Sequence, residues 1–154
     1  MMPKLEAGMK APWFEGPDQD GNIVKLSDFA GKKLILYFYP KDNTSGCTAE
    51  ACSLRDGHEE LLSRGFAVVG VSIDNEKSHR NFSKKYSLPF PLIADTTKKI
   101  SDDYGVWKEK SMYGKSFLGV VRTTFIIDEN GVLEEIIEKV ETKDHANQIF
   151  KLYQ

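Results

Sequence analysis

Cys47 and Cys52 are the residues of this chain best suited to do chemistry, and they are the only two cysteines in its 154 residues. Cys47 follows Asn43-Thr44-Ser45-Gly46, a run of turn and cap residues. The run predicts a helix that starts at or just before Cys47 and extends over 47–63. Free backbone N–H groups and the positive end of the dipole meet at such a start, which favours a thiolate over a thiol. A lone cysteine inside an apolar run would read as a buried structural residue. Here Thr44, Ser45, Gly46 and Thr48 build no core, so a reactive sulfur is the better reading.

Cys52 lies five residues further on, in AEACSLRD. On an intact helix that is a rotation of about 140° and a rise of about 7.5 Å. A disulfide needs its Cα atoms within about 6.8 Å and converging side chains. The two cysteines therefore either never bond, or bond only after the first helical turns unwind, which would be a redox switch. The spacing is not C-x-x-C, so a thioredoxin-type dithiol does not fit. Zinc asks for four ligands, and only His58 lies near the cysteines, so no metal is expected. His79 and His145 sit in polar helical stretches and are expected at the surface.

The elements that must hold these residues are legible. Residues 34–39 form an unbroken apolar run, the pattern of a strand covered on both faces, and Pro40 ends it. Before it, Asp18-Gln19-Asp20-Gly21-Asn22 between short apolar pieces predicts a β-hairpin over 13–26, and residues 1–12 are expected to be irregular. A second buried strand is expected over 66–73; strand, crossover helix, strand implies parallel pairing. Then follow a helix over 75–86, with Asp74 as its N-cap, a short strand region over 88–95 and a short helix over 98–104. An irregular segment is expected over 106–118, whose Trp107, Met112, Tyr113 and Phe117 read as core or pocket wall. A strand over 119–128 would turn at Glu129-Asn130-Gly131 into another over 132–138, and an amphipathic helix over 143–153 closes the chain. Arg122 is the one charge inside that apolar strand and needs a partner or a functional reason.

Composition bounds the rest. With 40% hydrophobic and 29% charged residues and a net charge of −2, the chain reads as one soluble globular domain over residues 1–154, large enough for a proper core. There is no basic excess to suggest nucleic acid, and no apolar run of membrane-spanning length. The opening MMPKLEAGMK carries no apolar signal region, so a cytoplasmic protein is expected. Two cysteines in an intracellular chain are more often catalytic than structural.

The stretch from Pro40 to Cys47 resembles the P-x-x-x-T-x-x-C signature of peroxiredoxins, and YFYPKDNTSGCTAEACSLRD resembles the bacterioferritin comigratory protein (peroxiredoxin Q) subgroup. SLPFPLIAD, YGVWKEKSMYGKSFLGVVRTTFIIDENG and the opening segment follow in family order, so the resemblance covers nearly the whole chain. It implies a thioredoxin-like α/β fold, a central mixed β-sheet flanked by helices with an N-terminal β-hairpin. Thioredoxins proper would carry a proline where Val121-Arg122-Thr123 stands. By the same resemblance Cys47 is the peroxidatic cysteine and Cys52 the resolving one. Thr44 offers its hydroxyl to thiolate and peroxide, and Arg122 is the active-site arginine. Pro40 shields the pocket and Gly46 completes the substrate-binding loop. Glu50 stands at an often acidic position, and Ser45 departs from the subgroup's usual proline.

The activity implied is reduction of hydrogen peroxide and organic hydroperoxides, as antioxidant defence. A sulfenic acid on Cys47 condenses with Cys52 to an intramolecular disulfide, which thioredoxin or a similar dithiol recycles without any cofactor. Resolution within one chain needs no partner subunit, which favours a monomer. A thioredoxin-like disulfide reductase and a redox-switched binding protein are the alternatives.

Overall fold

The structure, a computed structural model, describes residues 4–154, Met112 by its backbone only. Residues 1–3 of the stretch expected to be irregular, and the Met112 side chain, lie outside the described residues. In chain order the strands and helices are β1 (Glu15–Pro17), β2 (Ile23–Lys25), β3 (Lys33–Phe38), α1 (Ser45–Asp56), α2 (His58–Ser63), β4 (Phe66–Ser72), α3 (Glu76–Tyr86), β5 (Leu92–Ala94), α4 (Lys99–Asp103), β6 (Trp107–Met112), β7 (Lys115–Val120), β8 (Thr123–Ile127), β9 (Leu133–Ile137) and α5 (His145–Leu152).

The apolar run over 34–39 becomes the middle of the sheet, whose strand order is β5-β4-β3-β8-β9. β3 pairs parallel with β4 and antiparallel with β8, so the sheet is mixed. Side chains alternate across a strand. Leu34, Leu36 and Phe38 accordingly face a core shared with Phe14, Ile93, Tyr104 and Phe125. Ile35, Tyr37 and Tyr39 face the opposite core with Cys47, Ala51, Leu54, Phe82 and Ile149. Helices α1, α3 and α5 thus cover the face that carries Cys47. The hairpin β1–β2 forms around the Asp18 turn as the sequence predicts, with Asp18 Oδ1 accepting from the Asp20 and Asn22 amides.

Six expectations need correction. The cysteine helix does not run unbroken over 47–63: it stops at Gly57, a poor helix former, and a new helix starts at His58. A Cβ at Gly57 would lie 2.7 Å from that of Ala146, so the glycine also lets α1 and α5 approach. The segment 106–118 is not irregular. It is the two-stranded hairpin β6–β7, turned at Tyr113-Gly114 with φ of 54° and 77°. Two central residues at positive φ make the tight hairpin turn, and a tyrosine is an unusual residue to adopt that conformation. Tyr113, Phe117 and Leu118 are exposed, so Tyr113 and Phe117 are neither core nor pocket wall. The strand over 119–128 is interrupted at Val121-Arg122, which takes Arg122 out of the ladder. The cap of α3 is Asn75, whose side chain accepts from the Ser78 amide. Asp74 instead accepts from the Asp42 amide. His79 and His145 are fully buried, not on the surface.

Gly70 on β4 is opposed by Tyr37 on one side and Leu92 on the other. A Cβ there would come within 2.8 Å of both side chains. Gly70→Ala should therefore destabilise the fold by about 1–3 kcal/mol through overpacking. Urea unfolding checks this: the midpoint should drop at an unchanged m-value.

Candidate active site

Cys47 is the third residue of α1, which begins at Ser45 with Thr44 as its N-cap. Its side chain is almost wholly buried, at 1% exposure, on the α1 face of the sheet. Arg122 reaches it from the break between β7 and β8: Nη2 donates to Cys47 Sγ at 3.2 Å. The approach depends on Gly46, since a Cβ there would lie 3.1 Å from Arg122 Nη2. The other arm of the guanidinium, Nη1, donates to Glu50 Oε1 at 2.6 Å. One turn separates Cys47 from Glu50 on the same helix face, so a single arginine spans both.

Glu50 is fully buried and sits against α5, where His145 Nε2 lies 3.6 Å from its Oε2. Burial pushes the Glu50 carboxyl up to about 7, against the pull of Arg122. Burial pushes the His145 imidazole down to about 4, a shift that its contact with Gln148 opposes and the Arg122 charge reinforces.

The remaining residues singled out from sequence are gathered less tightly. Thr44 is exposed, and its hydroxyl donates to Lys41 O at 2.9 Å, capping the loop before the helix and not the helix itself. Pro40 is half-buried directly after the buried strand. Cys52 is half-buried in the middle of the intact α1, and both cysteines are free thiols. Ser45 occupies the first helical position, where proline would be pre-organised, so the first turn is held less firmly than the usual residue would hold it.

His145 was misplaced by sequence reasoning. The signal that could have found it is its spacing from buried Ile149, four residues on, which puts both on one helical face. His79 and Phe82 repeat the pattern on α3. Asp42, Asp74 and His79 also offer ligand atoms within 4.8 Å of one another. Those atoms are spoken for: Asp42 Oδ2 meets His79 Nδ1 at 2.6 Å and accepts from Ser78 Oγ at 2.8 Å. Asp74 Oδ2 accepts from the Asp42 amide at 2.7 Å.

A thiol at a helix N-terminus, held by an arginine and screened from bulk water, is the site of a thiol-dependent redox enzyme. The sequence profile of the AhpC/TSA family matches residues 7–136. The chain is 45% identical over 142 residues to peroxiredoxin Bcp of Bacillus subtilis, covering 92% of this chain and 90% of that one. It is 42% identical over 148 residues to peroxiredoxin Bcp of Escherichia coli, covering 96% and 95%. A solved structure of the Xanthomonas campestris bacterioferritin comigratory protein, studied for its alkyl peroxide reduction activity, superimposes with a TM-score of 0.88 at 34% identity, covering 96% of both chains. The chain belongs to the AhpC/TSA family and is a peroxiredoxin of the Bcp or peroxiredoxin Q kind. It is an enzyme, a thiol-dependent peroxidase with the thioredoxin-like fold, acting on peroxides with a thiol reductant.

The raised Glu50 carboxyl has a consequence for stability. Its folded state holds the proton more tightly than the unfolded chain, so the stabilising contribution is complete below about pH 4.5 and is lost as pH rises through about 7. At roughly 1.4 kcal/mol per pH unit, wild type should lose about 3 kcal/mol relative to Glu50→Gln between about pH 4.5 and about pH 8. Urea unfolding of both proteins at the two pH values tests this. A difference that does not change with pH would show that Glu50 does not titrate in this window.

Proposed function

We propose that Cys47 is the peroxidatic residue of this peroxidase, with Arg122, Thr44, Gly46 and Pro40 forming its peroxide site and Cys52 resolving the product. The observation that carries this reading is the Arg122 hydrogen bond to Cys47 Sγ, which sets a permanent cation beside the one buried thiol. The Cys47 thiolate attacks an oxygen of R–O–O–H. The S–O bond forms, the O–O bond breaks, and the departing alkoxide takes up a proton to leave as R–OH. Charge grows on that leaving oxygen, and pre-placed donors there are the largest available source of catalysis. Arg122 supplies one, and the amides of the first turn of α1 supply others. The Thr44 hydroxyl, whose hydrogen is committed to Lys41 O, keeps lone pairs to accept from the peroxide O–H.

The resulting sulfenic acid on Cys47 then condenses with the Cys52 thiol, forming the disulfide and releasing water. The intact α1 keeps the two sulfurs apart, so its first turns unwind for this step. That turn has no side-chain N-cap bond and no acidic residue, so little local energy opposes unwinding. A dithiol such as thioredoxin returns both thiols. We place the enzyme in the cytoplasm as a monomer built of one domain over residues 1–154. Among the described residues no helix is long and apolar enough to cross a membrane.

Three variants test the assignment, read by mass after peroxide treatment. Cys47→Ser should not react. Cys52→Ser should consume one equivalent and fail to cycle with thioredoxin, and full thioredoxin-dependent turnover in it would remove Cys52 from the mechanism. Arg122→Gln should lower the second-order rate with peroxide by roughly 100-fold or more. Reaction of Cys47→Ser as fast as wild type would overturn the reading and leave the disulfide-reductase alternative.

A further inference from the structure

From Glu50 onward α1 is fastened to its neighbours, and before Glu50 it is not. Glu50 Oε1 accepts from Arg122 Nη1 at 2.6 Å. Ser53 Oγ accepts at 3.1 Å from the amide of Ala146, in the first turn of α5, whose own N-cap residue Asp144 makes no side-chain bond. Arg55 Nη1 donates at 2.8 Å to Tyr86 O, a carbonyl that the end of α3 leaves without a helical partner. Ser53 and Arg55 thus close the open ends of two helices, and a cation at the C-terminus of α3 is favoured by its dipole as well. Between them Leu54 is fully buried, the one large apolar side chain that α1 gives to the sheet core. Gly57 then lies against Ala146. Over 45–49 the hold is weaker. Among the described residues, the one hydrogen bond from a side chain of that stretch is the bond between Cys47 Sγ and Arg122, and it must break when the sulfur leaves for Cys52.

We propose that Ser53 and Arg55 are positioning residues that hold Cys52 in place while residues 45–49 unwind, so that the Cys47 sulfur travels to a stationary resolving thiol. The inference rests on Cys47 reacting and Cys52 resolving. Along the intact helix the two Cα atoms stand at least about 7.5 Å apart, and a disulfide brings them within about 6.8 Å. Moving Cys52 would strip the Ala146 amide and the Tyr86 carbonyl of their partners and draw Leu54 from the core. Moving Cys47 gives up a turn without a side-chain cap and one buried side chain, that of Cys47 itself. The second motion is therefore the favoured one. Direction fits too, because Cα–Cβ bonds tilt toward a helix N-terminus and so aim the Cys52 thiol at the end that unwinds. There the S–S bond forms, the S–O bond of the sulfenic acid breaks, and the oxygen leaves as water with the thiol's proton. A second peroxide converts a waiting sulfenic acid to sulfinic acid, so a thiol kept in one place shortens the exposure.

Amide hydrogen exchange, read residue by residue in the reduced protein and after one equivalent of hydrogen peroxide, tests the hinge. The Thr48 amide, bonded to Thr44 O, should lose protection on oxidation by roughly tenfold or more. The Gly57 amide, bonded to Ser53 O, and the Ala146 amide, bonded to Ser53 Oγ, should keep theirs. Loss at Gly57 and Ala146 alongside Thr48 overturns the proposal, since the whole helix would then let go. Ser53→Ala and Arg55→Met supply the kinetic arm. Each should leave the rate of the first reaction with peroxide unchanged, yet raise the share of Cys47 trapped as sulfinic acid in excess peroxide by about fivefold, the size of a lost cap. Ser53→Thr restores the hydroxyl and should restore the wild-type share, a rescue that a general loosening of the fold would not show. An unchanged share in both Ser53→Ala and Arg55→Met overturns the proposal. Mass after oxidation separates the two failures. Wild type without a Cys47–Cys52 disulfide removes Cys52 from the mechanism and the hinge with it, whereas a disulfide with an unprotected Ala146 amide overturns the hinge alone.

Discussion

One cation has to serve two buried acids. Arg122 touches Cys47 Sγ with one arm and Glu50 Oε1 with the other, and neither acid is reached by solvent. A buried ionised group is tolerated only when paired and hydrogen-bonded, and here both groups draw on the same guanidinium. The fold's layout follows from serving this contact. Arg122 leaves the ladder between β7 and β8 to point into the helical layer, Gly46 makes room for its guanidinium, and α1 presents Cys47 and Glu50 one turn apart.

A second polar network fixes the backbone that delivers Cys47. Asp42, in the loop between β3 and α1, accepts from Tyr39 Oη at 2.6 Å and from Ser78 Oγ at 2.8 Å, and it meets His79 Nδ1 at 2.6 Å. His79 Nε2 lies 2.9 Å from Ile93 O, which can only accept, so the ring donates there. The Asp42 amide in turn donates to Asp74 at the end of β4. The loop is therefore anchored at Asp42, while two residues on, Thr44 leaves the first turn of α1 without a side-chain cap. A firm anchor followed by a loosely held turn suits the unwinding of α1 that the proposed mechanism requires.

Much of this was written in local pattern. The run over 34–39 could only be a covered strand, because six consecutive apolar residues leave no face for water. The turn residues over 43–46 placed Cys47 in the first turn of a helix, and Asp18 to Asn22 set a hairpin. Cys47 and Arg122 were each visible as residue types out of keeping with their neighbours, whereas Glu50 stood out only through the family resemblance. What determined them was short-range: cap chemistry, alternation and the lack of an alternative.

Tertiary structure decided what depends on contacts distant in sequence. The burial of His79 and His145 comes from α3 and α5 packing their apolar stripes on the sheet, and polar neighbours along each helix hid it. The break at Gly57 answers to Ala146, 89 positions away, and the Tyr113-Gly114 turn holds a residue rarely found at positive φ. The interruption at Val121-Arg122 leaves no local mark, because an arginine between apolar residues reads as strand until the sheet shows where it turns. Above all, the meeting of Cys47, Arg122, Glu50 and His145 joins one helix, a strand break and the last helix. No sequence spacing encodes such a meeting; it exists only once the two layers have closed on each other.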